Sequence, residues 1–267
     1  MTAIAVTIAG SDSGGGAGIQ ADLKSFSANG VYGASVISAL TAQNTLGVTA
    51  IHDVPVEFIR AQIDAVYSDL AVNATKIGML SQPEVIQAVA KGLSEHETGP
   101  VVLDPVMVAA SGDQLLADIA VEVLVSELMP AADLVTPNLH EAARMLKADV
   151  AETEDEMLRQ AESLLEIGAR TVLLKGGHGV GPESADLLLS QSGTRWFRGK
   201  RYDTKNTHGT GCTLSSAIAA GLAKGLSVED AIADGKKYIS AAIAAADSLE
   251  IGSGHGPVHH FYAYWRS

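Results

Sequence analysis

No disulfide can form within this chain, because its 267 residues hold a single cysteine, Cys212. A chain of this length can bury a substantial core without one, and such sparing cysteine use suits a reducing compartment. No basic-then-apolar leader precedes "MTAIAVTIAG", so a cytoplasmic protein is expected. Apolar runs such as "VVLDPVMVAA" are broken by charge or proline. They stop well short of the roughly 18 residues that a membrane span requires, so no membrane partner is expected. Clustered Lys and Arg are also missing: 18 basic residues face 31 acidic ones, a formal charge of −13, which argues against nucleic acid. An anionic small molecule would have to be held by local devices, namely backbone N–H groups, a helix N-terminus, a lysine or a metal. There is no linker, low-complexity tract or internal repeat, and one domain over residues 1–267 is expected.

What is present is a rhythm. Short β-branched runs, "AIAVTIA", "SVISAL", "TKIG", "PVVLD", "DLVTP" and "TVLLKGG", each lead into a polar or glycine turn and then a helix-like segment. That alternation predicts a parallel sheet with helices on both faces. Residues 185–204 differ in texture and predict a hairpin around Ser192-Gly193, hence an antiparallel edge. Residues 211–224 and 228–247 predict two Ala-rich helices, the second beginning after Ser227 with Glu229 and Asp230 in its first turn. In such sheets ligands bind beyond the carboxyl ends of the strands, and four of the turns there are unusual.

The first turn, "AGSDSGGGAGIQAD", contains a G-x-G-x-x-A match at Gly16, Gly18 and Ala21 and a "SDSGGG" like that of serine proteases. The loop is too long, and lacks the acid, for a dinucleotide fingerprint. A protease would need a β-rich fold with His and Asp suitably placed. Glycine lets backbone approach a ligand closely, and Asp22, at the opening of the next helix, can accept a hydrogen bond from it. The second turn, "LTAQNTLG", places Gln43 after an apolar strand. Its amide pairs a donor with an acceptor, the match for an amino group beside a ring nitrogen; a solvated turn residue is the alternative.

The third is a pair of turns. Asp104 ends the strand in "VVLDPVM", and Asn138 and Glu141 lie three apart in "TPNLHEA". Oxygen ligands on separate strand ends suit Mg²⁺, while Asn138 with Glu141 equally makes a capping box. The fourth is "NTHGTGCTLSSAIAAGLAKG", where Gly209, Thr210, Gly211 and Cys212 would offer successive N–H groups at a helix N-terminus as an anion hole. Its position favours the Cys212 thiolate; a small apolar packer is the alternative. No Walker A motif occurs. The histidines, with His259 and His260 adjacent and the others scattered, predict surface or packing roles and no metal site.

Taken in order, "TIAGSDSGGGAGIQADLKSFSANGVYGASVISALTAQNT", "TKIGML", "VVLDPVM", "TPNLHEA", "LLKGGH", "DTKNTHGTGCTLSSAIAAGL" and "GPVHHFYAYW" resemble the ribokinase-like superfamily and, within it, the bacterial hydroxymethylpyrimidine/phosphomethylpyrimidine kinases. The resemblance spans nearly the whole chain. It implies an α/β fold, a ribokinase-like three-layer α/β/α with a central mostly parallel sheet and a small antiparallel edge. It further implies a homodimer that uses Mg²⁺ with ATP as co-substrate, and it leaves a monovalent cation open. The implied reaction phosphorylates 4-amino-5-hydroxymethyl-2-methylpyrimidine and then its monophosphate, for thiamine diphosphate.

By the same resemblance, Gly10, Asp22, Gln43, Met79 and Val106 form the aminopyrimidine pocket. Asp104 and Glu141 lie near Mg²⁺, and Asn138, Lys175, Thr207 and Lys236 serve the nucleotide. Cys212, standing where most of the superfamily has an aspartate, accepts the hydroxymethyl proton beside the Gly209–Cys212 amides. A pyridoxal kinase of the cysteine-bearing branch is the nearest rival, and side activity on pyridoxal stays open. There the position of Gln43 is apolar, often methionine. A sensor without turnover would have lost one of Cys212, Asp104 or Lys236, and all are here. The small and polar residues 109–114, "AASGDQ", are expected to form a lid.

Overall fold

Strand β1 (Ile4–Asp12) is buried along almost its whole length, as a strand with parallel neighbours on both sides and helices on both faces must be. The computed structural model describes residues 1–108, 116–177 and 183–265; the expected lid at 109–114 lies outside them. The chain runs on through α1 (Gly18–Ala28), β2 (Tyr32–Asn44), β3 (Gly47–Asp53), α2 (Val56–Tyr67), β4 (Ala74–Ile77), α3 (Pro83–Glu95), β5 (Val101–Leu103) and α4 (Asp118–Val123). Then come β6 (Leu134–Val135), α5 (Leu139–Leu146), α6 (Glu154–Glu166), β7 (Val172–Lys175), β8 (Glu183–Ser190), β9 (Gly193–Lys200), α7 (Thr210–Ala223) and α8 (Val228–Ala244).

Among the described residues these strands form one sheet in the order β3-β2-β1-β4-β5-β6-β7-β8-β9. From β2 to β7 neighbours are parallel, whereas β3 and the β8–β9 hairpin are antiparallel edges. The expected hairpin is present, with its two-residue turn on Gln191 and Ser192, one position earlier than predicted. The edge at β3 was not legible. "LTAQNTLG" is not simply a turn, for β2 continues to Asn44, and Gln43 is a strand residue paired with Val48. The exposed strand GVTAIHD buries no alternating face, so backbone pairing with β2 sets it rather than a hydrophobic period.

Consecutive strand residues feed opposite layers, as a period of two requires. Leu103, Val135 and Leu174 point to the core beneath α2 to α6, and Val102, Leu134 and Leu173 to the core beneath α1, α7 and α8. The α7 sequence, TGCTLSSAIAAGLA, is buried on nearly every side. Its small residues permit close approach: a Cβ at Gly221 would lie 2.8 Å from that of Ala231 on α8. Gly209 caps α7 with φ +79°, and a Cβ there would meet the Gly16 carbonyl oxygen at 1.9 Å. Glycine at 209 is thus demanded both by the left-handed backbone and by contact with the first glycine loop. The chain leaves β1 toward β2 on one side and returns to β4 on the other, which opens a crevice at the carboxyl ends of these strands.

Candidate active site

That crevice is a cavity of about 820 Å³, and every candidate site residue lines it except Asp22. Each strand end contributes. Gly10, near the end of β1, and Met79, after β4, are so close that a Cβ on Gly10 would lie 2.6 Å from Met79 Cε. Gln43 enters from β2, Asp104 and Val106 from the turn after β5, Asn138 from that after β6, and Lys175 closes β7. The N-terminus of α7 faces them.

Asp22 does not reach the cavity, and the expectation that it touches substrate is corrected. The helix starts at Gly18, so Asp22 falls in its second turn and points into the protein. There it receives both contacts of Lys76 Nζ at 2.9 Å and the hydroxyls of Thr7 and Ser216 at 2.6 Å each. Neither Asp22 nor Lys76 is exposed at all. Burial opposes the Lys76 charge, but Asp22 beside it, with Cys212 and Asp104, raises the ammonium above the usual lysine value.

Asp104 Oδ1 accepts from Lys175 Nζ at 2.7 Å and Oδ2 from Ser215 Oγ at 3.1 Å. Burial works against its ionisation, yet Lys175 and Lys76 hold the carboxyl below the usual carboxylate range. A Cβ on Gly211 would be 3.3 Å from Lys175 Nζ and 3.6 Å from Asp104 Oδ2, so this ion pair abuts the first turn of α7. Asn138 and Glu141 do form the capping box: Asn138 Oδ1 accepts from the Glu141 amide at 2.9 Å and Glu141 Oε2 from the Asn138 amide at 2.7 Å. The same Glu141 is buried against the cavity. Desolvation raises its pKa to about 7, and Asp104 adds to the rise against the pull of Lys175. The capping and ligand readings are therefore compatible.

Two expectations about the fourth turn change. The Thr210 amide turns back onto the Thr207 carbonyl at 3.2 Å. An anion hole here would thus rest on Gly211 and Cys212, whose amides lie in the first turn and have no intrahelical acceptor. The Cys212 thiol is not poised as thiolate. Burial raises its pKa to about 11, with the charges of Asp22 and Asp104 adding to the rise against Lys76 and the Gly18 amide. Lys236 Nζ is paired with Asp186 and bonds Ser184 Oγ at 3.2 Å, and all three line the cavity, as does Thr207.

His208 and Asp12 line the cavity too, and the surface-or-packing expectation fails for His208. The signal was in the sequence: an aspartate before a glycine run reaches back to its own loop. Asp12 takes the amides of Gly14, Gly16 and Ala17 at 2.8, 3.0 and 2.8 Å. His259 and His260 are buried packing residues as expected, and among the described residues no three His, Cys, Asp or Glu cluster as a metal site.

An ion pair and a helix N-terminus at the topological crossover, beside Gly10, Met79 and Val106, are what a ribokinase-like small-molecule kinase requires. No helix among the described residues is long and apolar enough to cross a membrane. The family model described as phosphomethylpyrimidine kinase matches residues 12–259, and the chain belongs to that family. It is 59% identical, over 100% of both chains, to the hydroxymethylpyrimidine/phosphomethylpyrimidine kinase of Rhizobium meliloti. A phosphomethylpyrimidine kinase structure from Clostridium difficile is 44% identical and superposes with a TM-score of 0.80, over 90% of this chain and 99% of that one. The ADP complex of Bacillus subtilis pyridoxal kinase is 34% identical, with a TM-score of 0.91 over 100% of both chains.

Proposed function

We propose that this kinase transfers the γ-phosphoryl group of ATP to the hydroxymethyl group of 4-amino-5-hydroxymethyl-2-methylpyrimidine, and then a second one to the monophosphate, in the route to thiamine diphosphate. The observation that carries it is one cavity with a pyrimidine-reading amide, Gln43, among Gly10, Met79 and Val106, and the Asp104–Lys175 pair against the α7 N-terminus. Cys212 joins the two ends, following Gly211 in the chain and taking a contact from the Gly18 amide.

The ring lies against Gly10, Met79 and Val106 with its amino edge toward Gln43. Its hydroxymethyl oxygen points at Cys212, which accepts the proton as the oxygen attacks. Lys175 and the Gly211 and Cys212 amides stabilise charge on the transferring group, and positioning with electrostatics supplies most of the rate. Thr207, Asn138 and Lys236 serve the nucleotide. Asp104 and Glu141 are the residues that would hold Mg²⁺: burial raises the Glu141 pKa, Asp104 adds to the rise, and two such oxygen donors suit a hard dication that keeps most of its waters. When bound, Mg²⁺ neutralises phosphate charge.

One domain over residues 1–267 and a homodimer complete the reading. The dimer is supported by the apolar β2–β3 edge, where Leu40, Leu46 and Ile51 are exposed. Sedimentation should return twice the 27.5 kDa chain mass, and a monomer at working concentration sinks it. The whole-chain likeness to a pyridoxal kinase favours a side activity on pyridoxal.

The test of the substrate is ADP release with Mg-ATP and hydroxymethylpyrimidine, its monophosphate, pyridoxal or ribose. Both pyrimidines should turn over, and Gln43→Leu should lose about 10²-fold or more in kcat/KM for them. Turnover of pyridoxal alone rejects the reading of Gln43, and binding of pyrimidines without turnover makes the protein a sensor.

A further inference from the structure

The phosphoryl-transfer groups leave a carboxylate–imidazole pair on the cavity wall unused. Asp12 ends β1, His208 stands two residues before α7, and both are buried. His208 Nε2 meets Asp12 Oδ2 at 2.9 Å. The same ring nitrogen is 3.4 Å from the Gln43 amide atom placed as Nε2, and the atom placed as Oε1 is 3.1 Å from Thr41 Oγ1. Gly16 makes room for this, since a Cβ there would stand 2.3 Å from His208 Cδ2.

Hydrogen-bond accounting fixes the amide. Asp12 stays ionised: burial opposes it, but His208 and the Ala17 and Gly14 amides hold its carboxyl below the usual range. A carboxylate only accepts, so His208 Nε2 carries a proton and donates it. It therefore has no lone pair for an amide N–H and admits only the amide oxygen, which shares the single Nε2 hydrogen with Asp12 as the longer of the two contacts. At the other end, the one hydroxyl hydrogen of Thr41 goes to the Ser11 carbonyl at 2.7 Å, which leaves its oxygen to accept. Both neighbours ask for the amide turned over from that placement, with Gln43 Oε1 toward His208 and Nε2 toward Thr41. Oxygen and nitrogen of an amide have nearly the same shape, so its partners decide which is which.

We infer that His208, held by Asp12, is a positioning residue for substrate specificity: it locks the Gln43 amide in one of its two orientations and so selects a 4-amino over a 4-oxo pyrimidine. This rests on the reading of Gln43 in the proposed function. In the locked state one lone pair of Oε1 is left for an exocyclic amino N–H, and one N–H of Nε2 for the adjacent ring nitrogen. A 4-oxo ring offers the reverse, a carbonyl beside a ring N–H, and would face acceptor with acceptor and donor with donor. Buried polar groups left unpaired in this way are what make a hydrogen-bonding site selective.

The experiment measures kcat/KM with Mg-ATP for the 4-amino and 4-oxo forms of the same hydroxymethylpyrimidine. The wild type should prefer the amino form by at least about 10²-fold. In His208→Leu the amide is free to turn over, and the preference should fall at least about tenfold, through KM for each form, with kcat on the amino form within about threefold. His208→Gln, which returns an N–H, should recover much of the preference. Asp12→Asn carries the same test if the leucine variant does not fold, because it lets the imidazole proton move to Nδ1 and should also relax the preference. A preference unchanged in the folded variants, or a wild type that uses both forms alike, overturns the inference while leaving the proposed substrate standing. A wild type inactive on the amino form removes both.

Discussion

Cys212→Ala is expected to lower kcat on hydroxymethylpyrimidine by about 10²- to 10⁴-fold, the usual contribution of a general base, with a much smaller change in substrate Kd. The thiol pKa of about 11 shapes this expectation. Few molecules carry the thiolate at pH 7, but a base so far above neutrality is better matched to an alcohol proton than an activated thiolate would be. Its strength offsets that low population only in part, since reactivity rises less than proportionally with basicity. The thiolate fraction grows tenfold per pH unit below its pKa. The kcat/KM of the wild type should therefore climb from pH 7 to 9, and the alanine variant should lose that climb. A variant within about threefold of wild type would make Cys212 a packing residue, and a flat profile with a large loss would mean that the proton leaves by another route.

Asp22→Ala should destabilise the protein by about 3–5 kcal/mol, the cost of stranding one charge of a buried pair. The residue left behind is the Lys76 ammonium, enclosed with no exposed surface. At this chain length the loss corresponds to a fall in Tm of about 10 °C. Asp22→Leu combined with Lys76→Met removes both charges and should recover most of the loss, since a well-packed apolar pair often replaces a buried ion pair without penalty. Thermal unfolding of the three proteins measures it. A single Asp22→Ala variant that melts within a degree or two of wild type would mean that water reaches Lys76.

Asp22 also shows where a sequence stops being informative. Its place beside a glycine loop was legible, and so was its capacity to accept a hydrogen bond. Whether it faced ligand or interior depended on Lys76, 54 residues away, and Ser216, 194 residues away. Cys212 failed in the same manner: a helix N-terminus favours a thiolate, but burial and two carboxylates brought from α1 and β5 win. His208 looked like one more scattered histidine until β1 and β2 set Asp12 and Gln43 beside it. Edge strand β3 was missed because a strand exposed on its faces has no hydrophobic period to read.

Local and periodic properties were decided by the chain itself. The alternation of β-branched runs with helical segments dictates the parallel sheet, the small residues of 210–223 dictate a helix that can be buried on all sides, and the Asn138/Glu141 spacing dictates the cap of α5. The strand-end position of Asp104 and Lys175 follows from the same periodicity, and with it the location of the cavity. What only the tertiary structure decided is the chemical state of these groups. Protonation and hydrogen-bond direction depend on charges and desolvation a few ångströms away in space, and that environment is assembled from strands and helices far apart in the chain.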